Sequence, residues 1–428
     1  MNKVFRLRIF LLIIFSCVFI TCGKIDPLIN EPDGDPKKPD RMNWSERNYL
    51  ILSQFISEYG IGGKYYDPQK PPYVVIDWDN TCIIFDTEEA VFHYQVANLL
   101  FKMTKEEFGS ILKNEINGIS RLSPDYNNVS LSDINADLIK SYNYIFDNYS
   151  GIGGTMTLDE IKETSEYKDF RARLAFLYSG YCDTPGIEAK YGYPWVLYLF
   201  AGYTTEEVKA LTDKVITFEL ENQLSSQTWE SPKDLATQSG YISHSFKAGL
   251  RIIPEMQNLL STFKANGIDV FIVSASFKPV IEVFAGREIY GYNIAPEKVI
   301  AMELETTTAG VILPNYKPGW YITQREGKVD AINAVIKDAQ GITWDPIFSA
   351  ADSDGDYEMS TKFPGMRLTL IWNRVKGGKI GELCKQAVAE MQIQNPRYTL
   401  QGRNENTGKV IPYSESILFG KTELQLLK

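Results

Sequence analysis

A regular alternation of helix and strand begins at about Leu250, and it restricts the fold of this chain more than any other feature. "IIPEMQNLLSTFKANG" has apolar residues at helical spacing and ends in Gly, "IDVFIVSAS" is a β-branched run, and "KPVIEVFAGREIYG" is helical again. "KVIAMELE" then reads as strand, "GKVDAINAVIKDAQG" as helix, "PIFSAADSDGD" as a strand running into a turn, and "MRLTLIWNR" as a further strand. This order predicts an α/β fold, a doubly wound parallel sheet with helices on both faces, whose ligands gather at the carboxyl ends of the strands. Far upstream, "PYVVIDWD" is another short buried strand, bounded by prolines and preceded by a helix over "WSERNYLILSQFISEYG".

That upstream strand ends in two carboxylates one residue apart. Neighbours two apart on a strand share a face, so Asp77 and Asp79 repel unless a cation or a shared proton sits between them. Three more polar features fall at strand or helix ends: Ser274, Lys328, and the acidic turn with Asp352, Asp354 and Asp356. Each has an ordinary structural reading alone, as a capped turn, a helix cap or a solvated first-turn lysine. Together they supply what one phosphoryl-transfer site needs: a carboxylate nucleophile, an acid or base two residues away, a cation for the phosphate, and Mg²⁺ to hold the carboxylates together.

Other phosphatase chemistries are excluded by counting. The only histidines are His93, on an apolar helix where it reads as structural, and His244. A cysteine phosphatase needs Arg six residues after its Cys, but Glu88, Glu188 and Glu390 follow Cys82, Cys182 and Cys384 at that distance. No Cys or His cluster has zinc spacing, and the three scattered cysteines past Cys22 make no disulfide framework.

In the same order, "DWDNT", the Ser of "FIVSAS", the Lys of "GKVDA" and "DSDGD" resemble the four motifs of the haloacid dehalogenase superfamily of phosphatases. The resemblance implies that Asp77 is the nucleophile, Asp79 the general acid and base, and Ser274 and Lys328 phosphate binders, Lys328 with a catalytic role. It also implies that Asp77, Asp79, Asp352 and Asp356 form the Mg²⁺ site. A second aspartate at position 79 marks phosphatases and mutases within the superfamily. Ala351 stands where relatives commonly have Gly, which leaves open whether Asp354 or Asp356 completes the metal shell.

About 195 residues separate Asp77 from Ser274, far more than one crossover needs, so the interval holds a separate domain. The resemblance implies a helical cap there that selects the substrate. Its most aromatic stretch, "FLYSGYCDTPGIEAKYGYPWVLYLFAGYT", is open to two readings, core packing or a cage for a quaternary ammonium. Asp86, Glu88 and Glu89 either add negative charge to that pocket or form a solvated helix start. "YPWVLYLFAGYTTEEV", "NGIDVFIVSAS" and "YGYNIAPEKVI" look like the secreted phosphorylcholine phosphatases over residues 73 to 375. That similarity implies choline phosphate as substrate, held by Thr81, Glu88, Tyr193, Trp195, Ser274 and Ala275. Phosphoethanolamine, phosphoserine and a non-catalytic surface-binding lipoprotein are the alternatives.

The amino terminus adds an address. "MNKVFRLR" is basic and "IFLLIIFSCVFIT" is an apolar run too short for a comfortable span, which together predict a signal peptide over residues 1–21. Cys22 then resembles the acylated cysteine of a bacterial lipoprotein, with ordinary cleavage and an uncleaved anchor as alternatives. Residues 22–42, rich in Pro, Asp and Lys, read as a flexible tether. Loss of Lys3, Arg6 and Arg8 moves the formal charge from −10 to −13, which argues against nucleic acid and against a polybasic membrane patch. The expected partners are a small phosphate ester and a membrane reached through the lipid alone, in an exported protein on the periplasmic side or the cell surface. The expected units are a catalytic core over 43–85 and 250–375, a cap over 86–249, and a helix and hairpin over 376–428.

Overall fold

A computed structural model of the chain describes residues 37–427. The expected signal peptide, Cys22 and most of the tether lie outside the described residues. The last stretch of the tether is docked: the Lys37 N–H donates to Asn266 Oδ1 at 2.8 Å and the Asp40 N–H to Asn258 Oδ1 at 2.8 Å. Among the described residues no helix is long and apolar enough to cross a membrane.

Six strands make the central sheet: β1 (Tyr73–Ile76), β2 (Asp269–Phe277), β3 (Val299–Met302), β4 (Phe348–Ala351), β5 (Leu368–Trp372) and β6 (Tyr398–Gln401). Their order is β6-β5-β4-β1-β2-β3, and every neighbouring pair is parallel. Val75 of β1 sits between Ser349 of β4 and Phe271 of β2. All four residues of β1 are buried, because alternate side chains feed two different cores. Val74 and Ile76 pack with Phe55, Ile272 and Phe348, while Tyr73 and Val75 pack with Phe271, Ile332 and Met359. Helices on both faces account for a strand without polar alternation.

β6 is the element least expected from the sequence, since residues 376–428 read as an extension separate from the core. It pairs with β5 through Leu370↔Thr399 and Ile371↔Leu400, and the leading helix α1 (Glu46–Tyr59) is fastened to it by Asn48 Nδ2, which donates to the Leu400 carbonyl at 2.9 Å. The expected tail helix spans Gly378–Ala389, and the expected hairpin is Arg403–Asn404 against Lys409–Val410.

The insertion after β1 is mainly helical, with its longest helices at Thr87–Ala97 (α2), Leu131–Asn148 (α3), Ser165–Asp183 (α4) and Thr205–Glu221 (α5). It also carries an antiparallel hairpin, Ser225–Glu230 with Ser243–Ala248, in a stretch read as helical or looped. The chain enters and leaves the insertion side by side: Ile83–Ile84 pairs antiparallel with Arg251–Ile252.

Candidate active site

The polar residues that end β1, β2, β4 and β5 line one cavity of about 580 Å³. Its floor is a set of buried carboxylates. Asp77, Asp352 and Asp356 each bring an oxygen within 4.8 Å of the others. Three such charges need compensation. Lys328, on the helix Glu326–Ala331, provides part of it: its Nζ donates to Asp77 Oδ1 at 2.7 Å and to Asp356 Oδ1 at 2.6 Å. Gly327 is required beside it, since a Cβ there would lie 1.7 Å from the Ile322 carbonyl. Burial and the charge of Asp356 push Asp77 well above the usual carboxylate range, against the pull of Lys328. Burial also pushes Asp352 up, but Arg374 and Lys376 outweigh it and hold that carboxyl low.

The acidic turn divides its work. Asp356 folds back, with Oδ2 accepting from the Asp352 and Ser353 N–H groups at 3.2 and 3.3 Å. Asp354 instead accepts the Ile380 N–H at 2.8 Å and serves the start of the tail helix. Asp356 is therefore the one that joins Asp77 and Asp352.

Asp79 stands apart. Its carboxylate, expected among the metal ligands, is not in that group: Oδ1 accepts the Thr87 N–H at 2.7 Å and Oδ2 the Ser276 hydroxyl at 2.7 Å. Burial, with the nearby charge of Asp86, pushes it up to about 8. Of the expected phosphate and substrate contacts, Ser274 and Ala275 line the cavity. Thr81 does not; fully buried, it donates its hydroxyl to Asp77 Oδ2 at 2.8 Å and so orients the carboxylate rather than a ligand.

Tyr193 and Glu88 also line the cavity, and Glu88 Oε2 accepts the Phe277 N–H at 2.6 Å. Trp195 does not. A buried indole needs an acceptor for its N–H, and Trp195 finds one in the Ile111 carbonyl at 3.0 Å, with its ring edge-on to Tyr181 in the core of the insertion. The other aromatics of the cavity are Phe85 and Tyr178, the latter on α4, and they share the lining with Asp86, Glu89 and Asp183. Asp86 caps α2 by accepting the Glu89 N–H at 2.9 Å, and burial, then the charge of Glu89, pushes it up to about 7. The acidic helix start is both cap and cavity wall.

Sequence reasoning missed Arg374 and Lys376, two cations that border the site after β5. Arg374 Nη1 donates to Asp352 Oδ2, and Lys376 Nζ is 3.7 Å from the same oxygen. The only local signal was a pair of basic residues just past a strand end.

The carboxylates of Asp77, Asp352 and Asp356 form an all-oxygen donor set of the kind hard divalent cations prefer. Asp77, Asp352 and Asp356 fit Mg²⁺, and the ion, when bound, supplies positive charge to phosphate oxygens.

Comparison with known proteins bears on the family of the chain. The profile of the haloacid dehalogenase-like hydrolases matches residues 230–361, the segment with Ser274, Lys328 and the acidic turn. A phosphorylcholine phosphatase of Pseudomonas aeruginosa is 27% identical over 205 residues, which cover 46% of this chain and 54% of that protein, so the match spans about half the length of that relative. A crystal structure of a conserved protein of unknown function from Anaerococcus prevotii superposes with a TM-score of 0.80 at 31% identity, covering 90% of this chain and 99% of the other.

Proposed function

Because the chain belongs to the haloacid dehalogenase-like hydrolases, as a relative of the phosphorylcholine phosphatases, we propose that it hydrolyses small phosphate monoesters with Mg²⁺ through an aspartyl-phosphate, and that phosphorylcholine is its substrate. The observation that carries the reaction type is the division of labour between two aspartates two residues apart. Asp77 is oriented by Thr81 and Lys328 beside the other buried carboxylates, whereas Asp79 is tied to Thr87 and Ser276 and holds its proton to about pH 8.

In this reading an Asp77 oxygen attacks phosphorus and the bond from phosphorus to the ester oxygen breaks. The proton of Asp79 goes to the departing alkoxide. Asp79, now a carboxylate, takes a proton from the water that opens the aspartyl-phosphate, which frees inorganic phosphate and restores both groups. Lys328 and Ser274 hold phosphate oxygens during both steps.

The choice of phosphorylcholine is supported by the wall of the same cavity. Tyr178 and Tyr193 contribute aromatic rings to the lining, and Asp86, Glu88 and Glu89 contribute carboxyl groups, a combination suited to a quaternary ammonium. A screen of phosphorylcholine, phosphoethanolamine, phosphoserine and p-nitrophenyl phosphate with Mg²⁺ tests both parts. Turnover of none removes the phosphatase reading, and preference for phosphoserine or phosphoethanolamine removes the choline one. The sequence of residues 1–22 supports export and a lipid anchor at Cys22 as the location of this activity.

A further inference from the structure

None of the chemistry above uses Arg403, yet it is completely buried and contacts the loop that follows β1. An ionised guanidinium is removed from water only where its donors are well matched. Here Nη1 donates to the Asn80 carbonyl at 2.7 Å and Nη2 to Asn80 Oδ1 at 3.1 Å, so one planar fork grips the backbone and the side chain of a single residue. Asn80 lies between Asp79 and Thr81 and has a φ of +60°, in the left-handed region. A turn of that kind persists where its surroundings fix it.

The same guanidinium is joined to the other side of the site. Nη2 and Nε donate to Glu405 Oε1 at 2.8 and 3.3 Å, and that oxygen is 3.7 Å from Arg374 Nε. Arg374 in turn pairs with Asp352. Arg403, in the short strand Arg403–Asn404 after β6, and Glu405, in the turn that follows it, lie in a tail without any recognisable chemical motif, Arg403 323 residues beyond Asn80.

We propose that Arg403 is a positioning residue, which fixes the loop from Asp77 to Thr81 through Asn80 and, through Glu405 and Arg374, keeps Asp352 in register with that loop. The proposal rests on the reading of Asp77 and Asp352 as parts of the phosphate-transfer site. The tail is then a component of the site and not an appendage. Lysine cannot replace this arginine, because a single ammonium on a flexible four-carbon stem, with less reach than the guanidinium, cannot hold the Asn80 carbonyl, the Asn80 amide oxygen and Glu405 in one plane.

The test uses the full chain as wild type, Arg403→Lys and Glu405→Gln. Two readouts are taken: kcat and KM on p-nitrophenyl phosphate with Mg²⁺, and amide hydrogen exchange of peptides covering residues 77–85 and 368–372. Arg403→Lys should lower kcat about tenfold or more with KM within about twofold. It should also speed exchange at 77–85 about tenfold while 368–372 stays near wild type. Glu405→Gln, nearly isosteric, should move both readouts in the same direction by about threefold, and it decides the matter if the lysine variant does not fold. Unchanged exchange at 77–85, or equal acceleration in both peptides, would overturn the proposal, the second because it marks a purely structural role. If the wild type turns over no ester, the catalytic reading fails and the exchange comparison still decides whether Arg403 holds the loop.

Discussion

Lys328 and Asp77 form a buried ion pair 2.7 Å long across 251 residues of sequence, and the same ammonium reaches Asp356. One lysine therefore balances two of the three carboxylates that the fold crowds together. Asp77→Asn removes a charge from this cluster without changing its shape, so the protein should remain folded while turnover of every ester is abolished. Lys328→Met has the opposite character: it leaves carboxylates buried and unpaired, and should lower stability by about 3–5 kcal/mol as well as activity. Thermal unfolding and steady-state kinetics on both variants check the contrast. Residual turnover above a few per cent in Asp77→Asn would remove it as nucleophile.

The three-carboxylate set predicts a metal requirement. Excess chelator should silence the wild type, and added Mg²⁺ should restore it. Asp352→Ala should raise the Mg²⁺ concentration needed for half activity at least about tenfold, whereas Asp354→Ala should leave it nearly unchanged, because Asp354 serves the Ile380 N–H. Magnesium titrations of the two variants are the measurement, and equal shifts in both would reassign the shell.

Cys22 gives a prediction independent of the fold. Labelled palmitate fed to expressing cells should be incorporated into the wild-type protein and fractionate with membranes, and Cys22→Ser should lose the label and be released. Incorporation that survives the substitution would place the acyl group elsewhere.

Much of this architecture was legible because its signals are local. β1, β2, β4 and β5 are buried on both faces, so each reads as a short apolar run, and polar residues near their carboxyl ends, Asp77, Ser274, Asp352 and Arg374, line the cavity. Asp77 and Asp352 directly follow such strands, Ser274 lies in the last part of β2, and Lys328 sits on the helix Glu326–Ala331. What escaped is held by contacts that no window of sequence contains. β6 becomes a strand of the sheet through pairing with β5 and the grip of Asn48, and Arg403 meets Asn80 only after the whole chain has folded. Trp195 fails for a different reason. Aromatic density marks a surface that buries rings, but it does not say whether a ring faces a ligand or a core, and for Trp195 the carbonyl of Ile111 decides it.

That correction moves the choline prediction to other residues. Tyr178 and Tyr193 line the cavity, so replacing either by Ala should cost about 1–2 kcal/mol, roughly tenfold in kcat/KM, on phosphorylcholine while largely sparing p-nitrophenyl phosphate. Trp195→Ala should instead destabilise the insertion and reduce all substrates alike. The acidic wall adds a pH signature. Burial and the charge of Glu89 raise Asp86 to about 7, so it is protonated and neutral below that pH and charged above it. The ratio of kcat/KM for phosphorylcholine to that for p-nitrophenyl phosphate should therefore rise between pH 6 and pH 8, a range set about the value for Asp86, because only the cationic ester gains from the new charge. Asp79 does not cancel from this ratio, because its proton matters more to the choline alkoxide than to the p-nitrophenolate leaving group, so the contribution of Asp86 is read as the difference between wild type and Asp86→Asn. Asp86→Asn should flatten the rise. A ratio that is flat in the wild type, together with equal losses on both esters in the two tyrosine variants, would mean that this wall does not hold the ammonium group.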